Sequence, residues 1–156
     1  MPDIIYEEGN EELLDLMKPL WEKHNEQHSR LSIYFSDSFL NKSFEKRKSE
    51  LLELAETALI RVDLVKDFKE DKYIGFCVST VDQQKTGKVE SLFIEEAYRG
   101  LGIGNVLMNK VLAWMDHLSV VKKQITVAYG NEKVLSFYKK FGFYPNLYVL
   151  EQINQV

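Results

Sequence analysis

A chain of 156 residues is long enough to bury one core and too short for two comfortable domains, so a single domain spanning residues 1–156 is expected. Apolar residues make up 45% and charged residues 28%, a balance that excludes a disordered or low-complexity chain. The net charge of −4 and pI near 5.5 argue against broad binding to nucleic-acid phosphates, and the single cysteine, Cys77, excludes an internal disulfide or a CxxC metal or redox pair.

The acidic start, Met1 to Glu8, lacks the basic opening of a secretory signal. No apolar run approaches the ~20 residues of a membrane helix, so a cytoplasmic protein without a membrane partner is expected. Ile4–Glu7 reads as a short strand. Asn10 then caps a helix whose first turn carries Glu11 and Glu12, with Leu13, Leu16, Met17, Leu20 and Trp21 as its apolar stripe. Ser29–Asn41 shows no period and reads as a loop or broken helix. A second helix is expected over Ser43–Glu56, with Phe44, Leu51, Leu52 and Ala55 facing inward. Ala58–Val65 and Tyr73–Val81 are β-branched or aromatic runs flanking a charged turn, and Lys88–Ile94 follows as a third strand. Cys77 falls in the second of these runs and reads as a buried structural thiol.

A helix is expected from about Gly102 to Ser119, striped by Ile103, Leu107, Val111, Trp114, Met115 and Leu118. Gln124–Val127 reads as a short strand, Glu132–Phe141 as a helix capped by Asn131, and Phe143–Leu150 as a final strand. The order predicts an α+β fold: a mixed, mostly antiparallel sheet covered by helices.

The segment Val89–Met108 carries the chemistry. A strand ends at Ile94, and glycines 100, 102 and 104 gather at the mouth of the following helix. Glycine removes the Cβ that would keep a ligand from the backbone, and a helix mouth has free N–H donors with partial positive charge. A bound phosphate or diphosphate is the physical expectation there. A P-loop is excluded because no Gly-Lys-Ser/Thr follows. The dinucleotide pattern fails too, with Asn105 or Leu107 where its third glycine belongs.

What remains, Arg99-x-x-Gly102-x-Gly104 after a strand, resembles the diphosphate loop of the Gcn5-related N-acetyltransferases (GNATs). A second segment strengthens the likeness: Asn131 and Tyr138 stand in that family's Asn-x6-Tyr spacing, and Gly142-Phe143 leads into the last strand. The resemblance covers residues 58–151 well and residues 1–60 weakly. It implies a three-layer fold with helices on both faces of the sheet, acetyl-CoA as co-substrate, and an amine acceptor.

On that resemblance, Leu92, Phe93 and Ile94 offer backbone groups to the pantetheine arm and thioester. Arg99, Gly100, Leu101, Gly102, Ile103, Gly104 and Asn105 form the loop around the diphosphate. Tyr138 is the candidate general acid for the departing thiolate, although its place on the stripe Val134–Tyr138–Phe141 also suits packing. Strand alternation puts Glu90 on the face of Leu92 and Ile94, next to the thioester, as a candidate base or else a solvated carboxylate. Asn131 either contacts the cofactor, caps its helix, or does both. His24 and His28, one helical turn apart, have no third ligand in view and line the acceptor side instead, so no metal is expected. Glu96 stands where the family often has proline. No activated covalent nucleophile is evident, which points to direct transfer. A non-catalytic acyl-CoA-binding regulatory module is the alternative. The acceptor is not legible, and pairing into a homodimer is common among such proteins.

Overall fold

A computed structural model describes residues 1–153. Strand β1 (Ile4–Gly9) leads into a 3₁₀ segment, Glu11–Met17, that runs directly into α1 (Lys18–Leu31). Two further helices follow, α2 (Ser36–Leu40) and α3 (Phe44–Leu54), then the strands β2 (Leu59–Asp67), β3 (Lys72–Val81) and β4 (Thr86–Ile94). Helix α4 (Ile103–His117) crosses over to β5 (Lys122–Ile125), and a 3₁₀ turn at Glu132–Val134 opens α5 (Leu135–Lys139). The five strands lie in sequence order; β1 to β4 run antiparallel and β5 runs parallel to β4. This is the expected α+β arrangement. The right-handed preference of such crossovers makes a helix between parallel strands the natural solution.

Two apolar layers sandwich the sheet. On one face Leu14, Met17, Leu20, Trp21, Phe44 and Leu51 pack against Val62, Leu64, Phe76, Val78 and Phe93. On the other, Ile103, Leu107, Met108, Val111 and Met115 of α4 cover Val65, Ile74, Cys77 and Val89, with Phe137 and Tyr138 of α5 at the margin. Cys77 is fully buried, as its apolar run suggested.

The local signals explain most boundaries. The Asn10 side chain accepts from the Glu12 N–H, and Ser43 accepts from the Lys46 N–H at the start of α3. The segment read as loop or broken helix extends α1 to Leu31 and includes the five-residue α2.

Three readings change. The opening of the first helix is 3₁₀, with three residues per turn, so Leu14, Met17 and Leu20 align inward while Leu16 turns out. Leu52 of α3 is likewise exposed. Residues Phe143 to Leu150 form no strand: beyond Phe143 the described chain makes no hydrogen bond back to the domain. No helix of the described residues is long and apolar enough to cross a membrane.

The 3₁₀ register has a direct consequence. Leu14 is 0% exposed and Leu16 45%. Leu14→Ala is expected to cost about 2–5 kcal/mol by chemical denaturation, and Leu16→Ala well under ~1 kcal/mol. Equal losses would contradict the register.

Candidate active site

The site begins where two strands part. β5 pairs with β4 only from Thr86 to Val89, so the β5-facing edge of β4 beyond that point has no strand partner. Just there β4 carries a bulge: Val78 faces Ser91 while Ser79 faces Val89, which leaves Glu90 as the extra residue. The parting opens a groove of about 530 Å³ between β4, the mouth of α4, the segment after β5, and α5. Unpaired backbone along a groove of this kind calls for a partner with amide groups of its own.

The end of the groove is a loop held from several directions. The Glu95 N–H bonds the Ile74 carbonyl, and the Tyr98 hydroxyl donates to Asp67 at 2.7 Å. That bond to a carboxylate, together with burial, pushes the Tyr98 phenol up to about 12. Arg99 donates through Nε to the Ile94 carbonyl at 2.8 Å and through its terminal nitrogen to Gln27 at 3.1 Å. Its guanidinium also lies over the Phe93 ring. These contacts fix the path of Gly100–Gly104.

Gly100 and Gly102 sit at φ +80° and +81°, a left-handed conformation that favours glycine, and a Cβ on either would point into open space. Gly102 is the N-cap of α4 and supplies no side-chain cap, so the first N–H groups of that helix stay free. Gly104 serves packing: a Cβ there would come within 3.1 Å of the Phe137 ring. Close approach of α4 to α5 thereby places Tyr138, the neighbour of Phe137.

The groove gathers Glu90, Leu92, Phe93, Ile94, Arg99, Gly100, Gly102, Ile103, Gly104, Asn105, Asn131 and Tyr138. Leu101 is half exposed and lies outside that lining. The Ile94 carbonyl is already taken by Arg99, so Ile94 has less backbone to offer than the sequence implies. Leu92 and Ile94 side chains pack on the α4 layer. Burial, with a smaller contribution from Cys77, raises the Tyr138 phenol well above its ordinary range, so it keeps its proton. The Asn131 side chain makes no capping bond, and its Oδ1 is buried without a partner. Cations outnumber carboxylates in the lining, with Arg99, Lys133 and Lys140 against Glu90, in a chain of net charge −4.

The bulge corrects the reading of Glu90. Its carboxylate turns away from the face of Leu92 and Ile94 and toward α3, whose Arg47 lies 3.9 Å away, with Lys88 of its own strand at 3.6 Å. The side chain is 7% exposed, so it is not a solvated carboxylate. Single-strand alternation cannot anticipate an inserted residue.

Two groups gain weight that the sequence understated. His24 lies nearly parallel to Phe93 with centroids 5.2 Å apart, and His28 lies 4.2 Å from His24. Both line the groove. Burial first, then His28 and Arg99, drive His24 down to about 3 from 6.5, and burial lowers His28 as well. Among the described residues no three His, Cys, Asp or Glu side chains converge as a metal site.

Comparison with known proteins decides the family. A model described as the acetyltransferase (GNAT) family matches residues 11–143. The chain belongs to the GNAT acetyltransferase family. A GNAT from Ralstonia eutropha is 17% identical, with 97% of this chain and 99% of that chain covered at a TM-score of 0.73. The PaiA N-acetyltransferase of Thermoplasma acidophilum, solved in complex with coenzyme A, is 18% identical over 89% of this chain and 88% of its own, at a TM-score of 0.65. A 66-residue stretch is 26% identical to an uncharacterized N-acetyltransferase of Methanocaldococcus jannaschii. That match spans 42% of this chain and 29% of the relative's length. The likenesses to solved structures, all below 25% identity, bear on the fold alone.

The buried His24 imidazole makes stability depend on acidity. Below about pH 6.5 the unfolded chain binds a proton there that the folded chain refuses until about pH 3. Stability therefore falls as pH drops through that window, by up to about 1.4 kcal/mol per pH unit for one histidine. Urea unfolding between pH 6.5 and 4.5 is expected to show a shallower decline for His24→Phe than for the parent; an identical decline would contradict the assignment.

Proposed function

We propose that the groove binds acetyl-CoA and that the protein transfers the acetyl group directly to a primary amine. The observation that carries this reading is the loop Gly100–Asn105, whose backbone stands open over left-handed glycines at the uncapped mouth of α4. Diphosphate at that mouth would meet free N–H donors and the positive helix end, with Lys133 and Lys140 nearby. The unpaired edge of β4 at Ser91–Phe93 would take the pantetheine amides as a strand-like partner, and the orphaned Asn131 Oδ1 supplies an acceptor in the same groove. The residues present fit the cofactor.

An amine attacking a thioester must lose a proton, and the departing sulfur must gain one. Tyr138 is the group for the second task, because a buried phenol retains its proton at working pH and lines the groove. Glu90 lines the groove on the side of His24 and His28 of α1, from which an acceptor would approach, and is our candidate for receiving the amine's proton, directly or through water. His24 and Phe93 form an apolar wall beside it. Cys77 is fully buried with its thiol pushed up by burial, which leaves it unsuited to a covalent acetyl intermediate.

Binding is tested by thermal shift. Acetyl-CoA at about 100 times its Kd should add about 2.7 kcal/mol, several degrees for a domain of this size, with ATP and NAD far less effective. Equal shifts from all three would remove the coenzyme assignment.

Chemistry is tested by thiol release across a panel of amines. Tyr138→Phe should keep cofactor affinity and lower kcat by roughly 10²–10⁴ if protonation limits the rate. An unchanged kcat would retire Tyr138 as the acid. Binding without turnover of any amine would favour the regulatory-module alternative.

A further inference from the structure

The inward face of α3 carries a charge. Phe44, Arg47 and Leu51 recur at helical spacing, and Phe44 and Leu51 are buried in the core. Arg47 shares their face, with its side chain 18% exposed, and comes within 3.9 Å of Glu90 on the β4 bulge. Withdrawing a guanidinium and a carboxylate from water is costly unless hydrogen bonds satisfy both. Here they do not.

Glu90 is 7% exposed and accepts no hydrogen bond among the described residues, because Arg47 at 3.9 Å and Lys88 at 3.6 Å both stand too far off. Arg47 has five N–H donors and uses one on Glu50, at 3.3 Å. Lys42 donates to that same Glu50 oxygen at 2.8 Å, so Arg47 is only partly neutralised. His24 and His28 line the same groove and, held neutral by burial, add no charge. An acceptor for an ammonium and a donor for a carboxylate thus stand side by side, each short of partners. Their spacing is complementary to a ligand whose own opposite charges are one carbon apart.

We propose that the acceptor is a free α-amino acid, its ammonium on Glu90 and its carboxylate on the unused N–H groups of Arg47. The inference rests on the acetyl-transfer reading above and names an acceptor for it. Glu90 immediately precedes Ser91–Phe93, the edge proposed for the pantetheine amides, so an amine on its carboxylate lies beside the thioester. A guanidinium holds a carboxylate through two parallel N–H bonds, whereas a plain amine or an amide offers it no opposite charge. A peptide N-terminus and a lysine side chain in a protein are poor acceptors on this account, since neither sets a carboxylate next to its amine.

Thiol release with acetyl-CoA tests this across the common amino acids, the best then being compared with its own amide. The amide keeps the amine and removes the negative charge. The acid should have a kcat/KM about tenfold to hundredfold higher, the size of a charge-assisted hydrogen bond. In Arg47→Leu that preference should fall to near unity, and Arg47→Lys, which keeps the charge without the fork, should retain only part of it. An amide used as well as the acid, peptide amines used better than every amino acid, or a preference that survives Arg47→Leu overturns the proposal. Should Arg47→Leu fail to fold by circular dichroism, Arg47→Lys decides, and an undiminished preference there overturns it. Binding separates this inference from the transfer reading. With coenzyme A present, the acid should raise the melting temperature of the parent and its amide should not. That shift without any thiol release would sink the transfer reading and keep the amino-acid site; no shift with any amino acid would sink the site.

Discussion

The structure depends on the parting of β4 from β5. While the two strands pair, from Thr86 to Val89, the sheet is continuous and α4 simply covers it. Past that point β4 continues alone on one side, and the bulge at Glu90 tightens its twist. The parting opens the groove and leaves unpaired backbone along its wall, and the inserted residue beside it turns a carboxylate onto the face of α1 and α3.

The mouth of α4 would be of little use if the loop before it wandered. Tyr98 on Asp67, Arg99 on the Ile94 carbonyl, and the Glu95 N–H on Ile74 hold that loop to three different strands. The Asp67 carboxylate is buried and also accepts from the Asp3, Lys69 and Glu70 N–H groups, which keeps it charged. Hydrogen bonds to a charged group contribute about 1.5–3 kcal/mol each, enough to keep the glycines in their left-handed conformation rather than letting the loop collapse. Gly104 passes the arrangement on through Phe137 to Tyr138. The glycine loop at the mouth of α4 and the candidate acid are therefore parts of one packed unit.

Much of this was legible in the residues. Composition and period yield the order of the five strands and of α1, α3 and α4, and Asn10 announces its cap. Arg99–Gly104 and Asn131–Tyr138 announced the groove through types that only backbone conformation and chemistry require. The misreadings have physical causes. A 3.6-residue period over Glu11–Met17 places Leu16 in the core and passes over Leu14, whereas the backbone there turns every three residues. Strand alternation predicts the wrong face for Glu90 because an insertion breaks it. Phe143–Leu150 has the propensity of a strand, but propensity does not supply the neighbour a strand needs, and none of its own chain's described strands takes it. The anchoring of Tyr98 and the stacking of His24 on Phe93 join residues 31 and 69 positions apart, beyond the reach of local pattern.

The claim that everything else rests on is that free amides at the mouth of α4 receive the coenzyme's diphosphate. Amide chemical shifts followed during a titration with coenzyme A measure it most directly. The account predicts the largest changes at Gly102, Ile103, Gly104 and Asn105, with a second set at Ser91–Phe93. Shifts confined to other surfaces, with those amides unmoved at saturation, would contradict it.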